Sequence, residues 1–384
     1  MNLLQFSTTR RIVSGAGCVS ELGAILKDLG VARALVVTDS GLAKAGLLEG
    51  ALASLKAAGL SAILYDRVVA DPPETVVEEA VAFARENGID GVVGFGGGSS
   101  MDAAKLVALL APSTQKLPEI YGIGLAKGAR LPLIQVPTTA GTGSEVTDIA
   151  IVTTPTHEKK GVVSHQLLPD VALLDAALTL SVPPAVTAAT GIDAMVHAIE
   201  AYTSKHKKNP ISDALARQAL DLLGRNIRKV CGDGNQLAAR GEMLMGSLLA
   251  GMAFANAPVA AVHALAYPIG GHFHVPHGLS NALMLAPVLE FNLSSAIALY
   301  GELAAVLLPG QHFPSASAAA EAFVAFMVKL VADMPMAQTL REVGVKESDL
   351  DLLATDALKV QRLLINNPRE VTLTDARALY AQAL

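Results

Sequence analysis

Four residues in the second half of the chain carry side chains that could together bind a metal ion. Asp193 and His197 are four residues apart in a helical stretch, so their side chains lie on one face and can reach the same ion. His263 and His277 follow in the longest charge-free part of the chain, residues 243–289. Imidazoles with one carboxylate suit a divalent transition metal such as Fe2+ or Zn2+, whereas Ca2+ and Mg2+ prefer oxygen ligands. The four residues together predict a metal centre that does chemistry.

Each of these residues also has a structural interpretation. Thr190-x-x-Asp193 resembles a capping box, in which Asp193 would only close the start of a helix. His263 and His277, taken singly, fit hydrogen-bonded core histidines. Apolar residues flank His197, so its ring is expected to point into the interior, where a metal would satisfy an otherwise costly polar group. The combination of the four residues favours the metal site.

Length and composition predict two domains. The 384 residues exceed the size at which a single core usually keeps growing, and 52% of them are hydrophobic. The net charge of -6 argues against a nucleic-acid or anionic-membrane partner, because no basic domain or stripe is present. The apolar stretch 243–289 raises the question of a membrane span, but prolines, Asn256 and the histidines interrupt it. Buried helices of a soluble bundle are expected there.

Cysteine usage and the N-terminus favour a cytoplasmic protein. Cys18 and Cys231 are too few and too far apart for a disulfide framework. Leu3, Leu4 and Phe6 are followed by two arginines, which is no signal-peptide core.

The chain up to about residue 180 alternates short β-rich runs with amphipathic helices. This alternation predicts a mainly parallel sheet covered on both faces, the Rossmann-like architecture that binds nucleotides at the carboxyl ends of its strands. The predicted strands are 34–38, 62–65, 91–95 and 133–136, and the predicted helices are 47–58 and 74–86. Segments 149–153, 161–164 and 171–174 also read as extended, without a place in the strand order.

The segment Ser181-Val182-Pro183-Pro184 marks a change of pattern, because its prolines suit the start of a helix and the segments that follow are nearly all helical in pattern. The domains are therefore predicted as 1–182, an α/β nucleotide-binding domain, and 183–384, an all-α domain that carries the metal site. Helical spacing covers 211–223, 236–254, 318–332 and 356–364.

A glycine-rich turn follows the predicted strand 91–95. Gly96, Gly97, Gly98 and Ser99 lead into a helix, which would point several backbone N–H groups at a pyrophosphate. The segment is neither a strict G-x-G-x-x-G nor a P-loop, so ATP hydrolysis is not expected, and a simple tight turn is the alternative.

A second loop, Pro137-Thr138-Thr139-Ala140-Gly141-Thr142-Gly143-Ser144-Glu145, follows another strand, and two such loops suit a dinucleotide. Asp39 ends the strand 34–38, where its carboxylate could accept hydrogen bonds from an adenosine ribose and repel a 2′-phosphate. That position favours NAD over NADP. Asp39 could instead be a helix cap.

Five groups of residues together resemble the iron-containing (group III) alcohol dehydrogenases of the dehydroquinate-synthase-like fold. The resemblance extends over essentially the whole chain, and the lactaldehyde reductases and 1,3-propanediol dehydrogenases are of this type. The Asp-x3-His element with a His-x13-His pair is its strong part, and the glycine loop alone is weak. The groups are Gly96-Gly97-Gly98-Ser99 with Asp102 and Lys105, the loop from Pro137 to Glu145, the segment from Gly191 to Glu200, Pro276-His277-Gly278 with Asn281-Ala282, and Asn366-Asn367-Pro368-Arg369.

The resemblance implies that Asp193, His197, His263 and His277 bind Fe2+, or sometimes Zn2+. It further implies that the metal polarises the oxygen of an alcohol, aldehyde or ketone while hydride passes between the substrate and NAD(H). A homo-oligomer, a dimer or higher, is implied as well. The residues implied to hold the cofactor are Asp39, Gly96, Gly97, Gly98, Ser99, Asp102, Thr138, Thr139, Thr142, Thr147, Lys160, Thr179 and Leu180.

One position departs from the family pattern. Many relatives place a further histidine four residues after the third ligand, near the substrate, and this chain has Tyr267 there. Tyr267 or His272 could take over the proton relay, or the relay could run through the cofactor ribose and water, and a structural role is expected for His274.

Two other functions compete with the dehydrogenase. A lyase or cyclase of the same fold would use NAD transiently, but it needs a basic pocket for a substrate phosphate, and the sequence has none near the ligands. A metal hydrolase or non-haem oxygenase needs only two histidines and a carboxylate, and a third histidine leaves fewer open positions for O2. Net NADH consumption with a simple aldehyde separates the dehydrogenase from both.

Overall fold

The computed structural model describes residues 4–156 and 158–384, and they form two compact units. One unit is Ser7–Val182. The other is Pro183–Leu384 together with residues 4–6.

The unit Ser7–Val182 is built on a six-stranded sheet in which every neighbouring pair is parallel. Its strands are β1 (Arg11–Ser14), β2 (Arg33–Asp39), β3 (Ser61–Val68), β4 (Gly91–Gly96), β6 (Leu133–Pro137) and β9 (Val171–Leu174), and the short β5 (Gly122–Ile123) lies outside this sheet. The strand order is β1-β9-β6-β4-β2-β3. The predicted strands are all present, whereas β1 was missed because it is a mostly exposed edge strand with no alternating apolar pattern.

Helices cover both faces of this sheet. They are α1 (Leu22–Asp28), α2 (Ser40–Lys44), α3 (Glu49–Ala57), α4 (Glu74–Glu86) and α5 (Gly98–Leu110). Successive residues of one strand enter opposite cores: Leu35 and Val37 pack into one hydrophobic cluster, while Ala34 and Val36 pack into the other. Burial on both faces explains why these strands read as continuous apolar runs.

A separate three-stranded sheet contains β5 together with the antiparallel pair β7 (Ile149–Thr153) and β8 (Lys159–Val163), in the order β5-β8-β7. It includes two of the extended segments that the sequence left without a place. The third segment is β9, which pairs with β6 and β1 in the main sheet.

The order of the main sheet places a switch point beside β2. This strand pairs with β3 on one side and with β4 on the other, so the connections that leave β2 and β4 diverge. In open parallel sheets such a crevice at the carboxyl ends is the usual ligand site. Asp39 and the turn after Gly96 lie at these two strand ends.

The unit Pro183–Leu384 contains helices and no strand in its described residues. They are α6 (Pro184–Thr203), α7 (Pro210–Gly232), α8 (Leu237–Asn256), α9 (Ala261–Phe273), α10 (His277–Leu307), α11 (Ala316–Ala332), α12 (Leu350–Ala357), α13 (Gln361–Leu364) and α14 (Leu373–Ala383). The predicted fold class, a parallel α/β domain followed by an all-α domain, is confirmed.

The predicted helix 356–364 is wrong as a single element. The chain leaves α12 after Ala357, and Val360 has a non-helical backbone before α13 begins. Both helices contribute buried apolar residues, Ala357 from α12 and Leu363 and Leu364 from α13. The spacing of apolar residues therefore does not reveal the break.

One described helix, α10, is long and apolar enough to cross a membrane by length and composition, and the bent pair α8 and α9 passes the same test together. Half of the most apolar window of α10 is buried within the protein. The core helix of a soluble protein satisfies the same test, so this is weak evidence for a span.

Candidate metal centre and cofactor loops

Three helices of the unit Pro183–Leu384 bring the four predicted metal ligands together. α6 carries Asp193 and His197 one turn apart on the same face, α9 carries His263 as its third residue, and α10 begins with His277. One ligand atom from each residue lies within 4.8 Å of all the others. The Nε2 atoms of the three histidines are 3.8 to 3.9 Å from Asp193 Oδ1.

The centre is shielded from solvent on most sides. The side chain of Asp193 is 1% exposed, that of His263 is 3% exposed, and that of His277, the most open of the four, is 29% exposed. The ring of Phe254 stacks on that of His197, with centroids 4.3 Å apart and an interplanar angle of 19°, and this contact fixes the imidazole plane.

Three buried polar atoms in this cluster have no hydrogen-bond partner. They are Asp193 Oδ2, His263 Nε2 and Asn281 Oδ1. A buried polar group without a partner is costly, and all three of these atoms can act as ligands or acceptors. A divalent cation would satisfy the carboxylate and the imidazole at once, so the residues present fit the predicted metal.

The structural interpretation of Asp193 as a capping residue is wrong. α6 begins at Pro184, so Asp193 lies in the middle of the helix, and Thr190 Oγ1 donates to the carbonyl of Val186 instead.

The surroundings of Asp193 favour its carboxylate form. Burial opposes ionisation, but His197, His277 and His263 and a hydrogen bond from Asn281 outweigh it and hold the pKa of Asp193 below its ordinary value. The centre therefore presents one buried anion to the three imidazoles.

Two residues at the centre were quoted in motifs but given no role by the sequence analysis. Glu200 Oε2 lies 2.7 Å from His263 Nδ1, and Asn281 Nδ2 donates to Asp193 Oδ1 over 2.6 Å. A signal for Glu200 was available, because residues 193, 197 and 200 form one stripe on a helix that is otherwise apolar there.

The two candidate relay residues lie in different surroundings. The ring of Tyr267 is 6.1 Å from that of His277, beside the metal cluster. His272 Nε2 pairs with Asp356 Oδ2 at 2.7 Å.

In the other unit, Asp39 caps α2, as the alternative interpretation held. Its Oδ1 accepts hydrogen bonds from the backbone N–H groups of Gly41 and Leu42, at 2.8 and 3.0 Å. Oδ2 has no hydrogen bond to any described residue and remains available to a ligand. The cap and a ribose contact are therefore compatible.

The glycine turn after β4 leaves little room beside its backbone. A Cβ on Gly98, the first residue of α5, would lie 2.7 Å from Thr142 Cγ2, and one on Gly96 would lie 2.8 Å from Ser100 Oγ. Gly96 also has φ +148°. The α5 N-terminus thus opens onto the second loop, whose residue Thr138 donates its backbone N–H to the carbonyl of Gly96. Glycine is therefore required at these positions by the packing of Ser100 and Thr142, and the binding of a pyrophosphate here stays a prediction.

Hydrogen bonds of two side chains of α5 connect this helix to the second loop and to the residues that follow it. Asp102 on α5 accepts from Ser144 Oγ and from the backbone N–H of Ile151, at 2.6 and 2.9 Å. Lys105, which is fully buried, donates to Thr147 Oγ1. Asp102 and Thr147 therefore brace the loops through these side chains.

The remaining predicted cofactor residues lie in varied surroundings. Ser99 Oγ accepts from the backbone of Asp71, and Lys160 forms a half-exposed ion pair with Glu158. Thr179 is buried and donates to the carbonyl of Ala176, next to Leu180.

The chain matches known proteins over nearly its full length. Residues 9–176 match the family model of the iron-containing alcohol dehydrogenases, and residues 187–384 match the C-terminal model of the Fe-containing alcohol dehydrogenase family. The long-chain-alcohol dehydrogenase 1 of Geobacillus thermodenitrificans is 43% identical over 373 residues, which cover 96% of this chain and 94% of that protein.

Solved structures agree with these matches. A 1,3-propanediol oxidoreductase superimposes with a TM-score of 0.96 at 36% identity, covering 100% of both chains. The sulfoacetaldehyde reductase of Bifidobacterium kashiwanohense, solved in complex with NAD+, superimposes with a TM-score of 0.88 at 28% identity, covering 100% of this chain and 99% of that one.

A parallel-sheet unit with glycine loops and a helical unit with a centre of one aspartate and three histidines define an oxidoreductase of the dehydroquinate-synthase-like fold. The chain belongs to the iron-containing alcohol dehydrogenase family. The predicted family and its alcohol- or aldehyde-directed redox activity are confirmed, and the predicted cofactors, a metal and NAD, agree with these findings. The lyase, hydrolase and oxygenase alternatives are not favoured.

Proposed function

We propose that this enzyme interconverts primary alcohols and aldehydes, with NAD(H) as the hydride carrier and Fe2+ as the metal, Zn2+ being the alternative ion. One observation carries the proposal: one ligand atom each from Asp193, His197, His263 and His277 lies within 4.8 Å of all the others, and Asp193 Oδ2 and His263 Nε2 are buried without a hydrogen-bond partner. The imidazole-rich set suits either ion, and availability in the cell decides between them. When bound, the metal supplies Lewis acidity toward the substrate oxygen.

The loops of the sheet unit would hold NAD(H). Asp39 Oδ2 would accept from the adenosine ribose, and the backbone N–H groups that begin α5 would bind the pyrophosphate, aided by the positive end of the helix dipole. The hydroxyl and N–H groups of the two loops would add further donors, and the family resemblance implies that Lys160 helps to hold the cofactor and that two residues lie near the nicotinamide. The loop residues are Ser99, Thr138, Thr139 and Thr142, and the two near the nicotinamide are Thr179 and Leu180.

Tyr267 is the residue that we propose for exchanging a proton with the substrate oxygen. Its ring lies beside that of His277, and a phenol can both donate and accept a proton. His272 already pairs with Asp356, so it suits a supporting place better than the relay itself.

We also propose a cytoplasmic location and a homo-oligomer. Both cysteines are free thiols, which suits a reducing compartment. The oligomer rests on the family resemblance, and light scattering on the purified protein would measure its order.

The test of the function is anaerobic purification with elemental analysis, coupled to NADH absorbance on a panel of short aldehydes with and without added Fe2+ or Zn2+. We expect about one ion per chain and metal-dependent NADH oxidation. Bound metal without net NADH turnover on any carbonyl would contradict the dehydrogenase and favour the lyase.

A further inference from the structure

Glu200 is an acidic residue buried beside the metal cluster without being one of its ligands. It lies on α6 and is 4% exposed. Buried carboxylates are kept where donors surround them, and three N–H donors converge on this one. Glu200 Oε2 accepts from the backbone N–H of Ala260 at 2.9 Å and lies 2.7 Å from His263 Nδ1, while Oε1 accepts from the backbone N–H of Val262 at 2.7 Å.

The contact with His263 determines which ring nitrogen carries the hydrogen. A carboxylate can only accept, so Nδ1 must be the donor, and the neutral ring then carries its lone pair on Nε2. Nε2 is the atom that faces Asp193 and has no hydrogen-bond partner. Glu200 therefore holds the ring in the form that can bind a metal.

The two backbone contacts fix the place of the ring as well. α9 begins at Ala261, and its N-cap residue, Ala260, offers no side-chain cap and has φ -136° and ψ -130°. The carboxylate of Glu200 replaces that cap by accepting from Ala260 and Val262, at the positive end of the helix. His263 is in the first turn of α9, so the cap sets its position directly.

Other buried side chains hold the segment that precedes α9, but none of these contacts reaches the imidazole. Ser204 Oγ donates to the carbonyl of Pro258, and Asn366 Nδ2 donates to that of Val259. Glu200 is thus the member of this group that couples the backbone to the ligand ring.

We infer that Glu200 is a positioning residue of the metal centre, which selects the Nδ1–H tautomer of His263 and aims its Nε2 at the ion. The inference rests on the proposed function only in taking Asp193, His197, His263 and His277 as ligands. Carboxylate partners of metal-bound histidines act in this way in general, and their loss typically lowers metal affinity by about 10- to 100-fold.

The decisive variant is Glu200→Gln, because glutamine keeps the size but has one acceptor and one NH2 group. Whichever way the amide turns, its NH2 meets either the N–H of Val262 or the donors of Ala260 and His263. We expect the affinity of the metal-free protein for Zn2+, measured by competition with a chromogenic chelator, to fall by about 10- to 100-fold. Ser204→Ala is the matched control, since it loosens the same segment without touching the ring, and its Zn2+ affinity should stay within roughly threefold of wild type.

A second measurement reads the tautomer in the wild-type protein and uses a variant only to assign the signal. 15N NMR of the histidines in the metal-free wild-type protein, with His263 assigned by comparison with His263→Gln, reads the tautomer directly. We expect hydrogen on Nδ1, and hydrogen on Nε2 would overturn the inference. Unchanged Zn2+ affinity in Glu200→Gln would overturn it too.

The outcomes separate this inference from the proposed function. Zn2+ binding that depends on Glu200, without NADH turnover on any aldehyde, would contradict the proposed function alone. A wild-type protein that binds neither Zn2+ nor Fe2+ would overturn the metal centre and the role of Glu200 together.

Discussion

At the scale of single residues, the surroundings of Asp193 favour a bound cation in this helical unit. Its carboxylate is buried among three imidazoles, and one of its oxygens has no hydrogen-bond partner. In the neutral form that binds a metal, the imidazoles cannot satisfy this anion, since ring nitrogens without hydrogen are acceptors and only protonated rings attract the carboxylate. A metal turns these mutually unfavourable acceptors into ligands. We therefore expect a lower free energy of unfolding for the protein from which a chelator has removed the metal than for the metal-loaded protein.

Asp39 gives a prediction about cofactor choice. Replacing Asp39 by glycine removes the carboxylate that would accept from a ribose hydroxyl and repel a 2′-phosphate. We expect Asp39→Gly to raise the ratio of kcat/KM for NADP to that for NAD by roughly tenfold, which is about 1.4 kcal/mol. Steady-state kinetics with both cofactors measure it. Asp39→Asn keeps a cap acceptor for α2 and separates loss of the cap from loss of the charge, and an unchanged ratio in both variants would refute the role.

Glu145 gives a prediction about pH. Its side chain is buried with Oε1 unpaired, and burial raises the pKa of Glu145 to about 7, although the nearby Lys105 opposes this rise. Between the ordinary pKa of 4.5 and 7, the unfolded chain loses the proton while the folded chain keeps it, so stability falls as pH rises through this window. Above 7 the folded chain also ionises, and the cost stays constant.

Glu145→Gln should remove this dependence. From pH 4.5 to pH 8, the free energy of unfolding of the variant should gain on that of wild type by up to roughly 3 kcal/mol, at about 1.4 kcal/mol for each pH unit between the two pKa values. Urea unfolding followed by circular dichroism at both pH values measures the difference. Glu86→Gln, at an exposed position, is the control and should show no such gain. A pH-independent difference for Glu145→Gln would contradict the assignment.

Contacts between residues that are close in the chain could be predicted from the sequence, whereas contacts between distant residues could not. The i, i+4 relation of Asp193 and His197 is a local property, and the sequence therefore predicted that they share a face. The partners of Glu200 are Ala260, Val262 and His263, which lie 60, 62 and 63 positions away in the chain, and only folding brings them to it. No spacing rule within α6 could identify them.

At the scale of elements, the packing of α10 on α6 sets the distance between two ligands. Gly278, next to His277, lies against the backbone of α6, where a Cβ would be 2.9 Å from the carbonyl oxygen of Ala189 and 3.4 Å from Asp193 Cβ. Backbone cannot yield as a flexible side chain does, so Gly278→Ala must push the start of α10 away from α6. We expect the Zn2+ affinity to fall by roughly tenfold or more while circular dichroism stays helical.

The control for this variant is Gly232→Ala at the end of α7, where a Cβ would meet nothing within 4 Å. It should leave Zn2+ affinity unchanged, because it moves no ligand helix. Wild-type affinity in Gly278→Ala would show that the distance between α6 and α10 does not limit the centre.

Elements with strong periodicity were predictable, and those shaped by tertiary contacts were not. The buried strand β4 and the amphipathic α4 follow from their own residues. The edge strand β1 is stabilised by pairing with β9. At the break between α12 and α13, both helices bury apolar residues. Neither feature can be predicted from the local sequence pattern.

At the scale of the whole molecule, the two kinds of chemistry belong to different compact units. The two loops proposed to bind the cofactor are in Ser7–Val182, and all four proposed metal ligands are in Pro183–Leu384. Length and composition predicted two domains, and the change in hydrophobic periodicity near residue 183 predicted the class of each. Composition could not predict the small sheet of β5, β7 and β8, which depends on pairing between segments far apart in the chain.

The most direct test of the account is His263→Ala, compared with wild type in one set of anaerobic preparations. Metal per chain, NADH binding and NADH oxidation with an aldehyde should be measured on each. We predict that the variant loses metal and turnover, and that it keeps NADH affinity within about threefold of wild type, since the ligand and the loops lie in separate units. Full turnover in a metal-free His263→Ala protein would contradict the central claim.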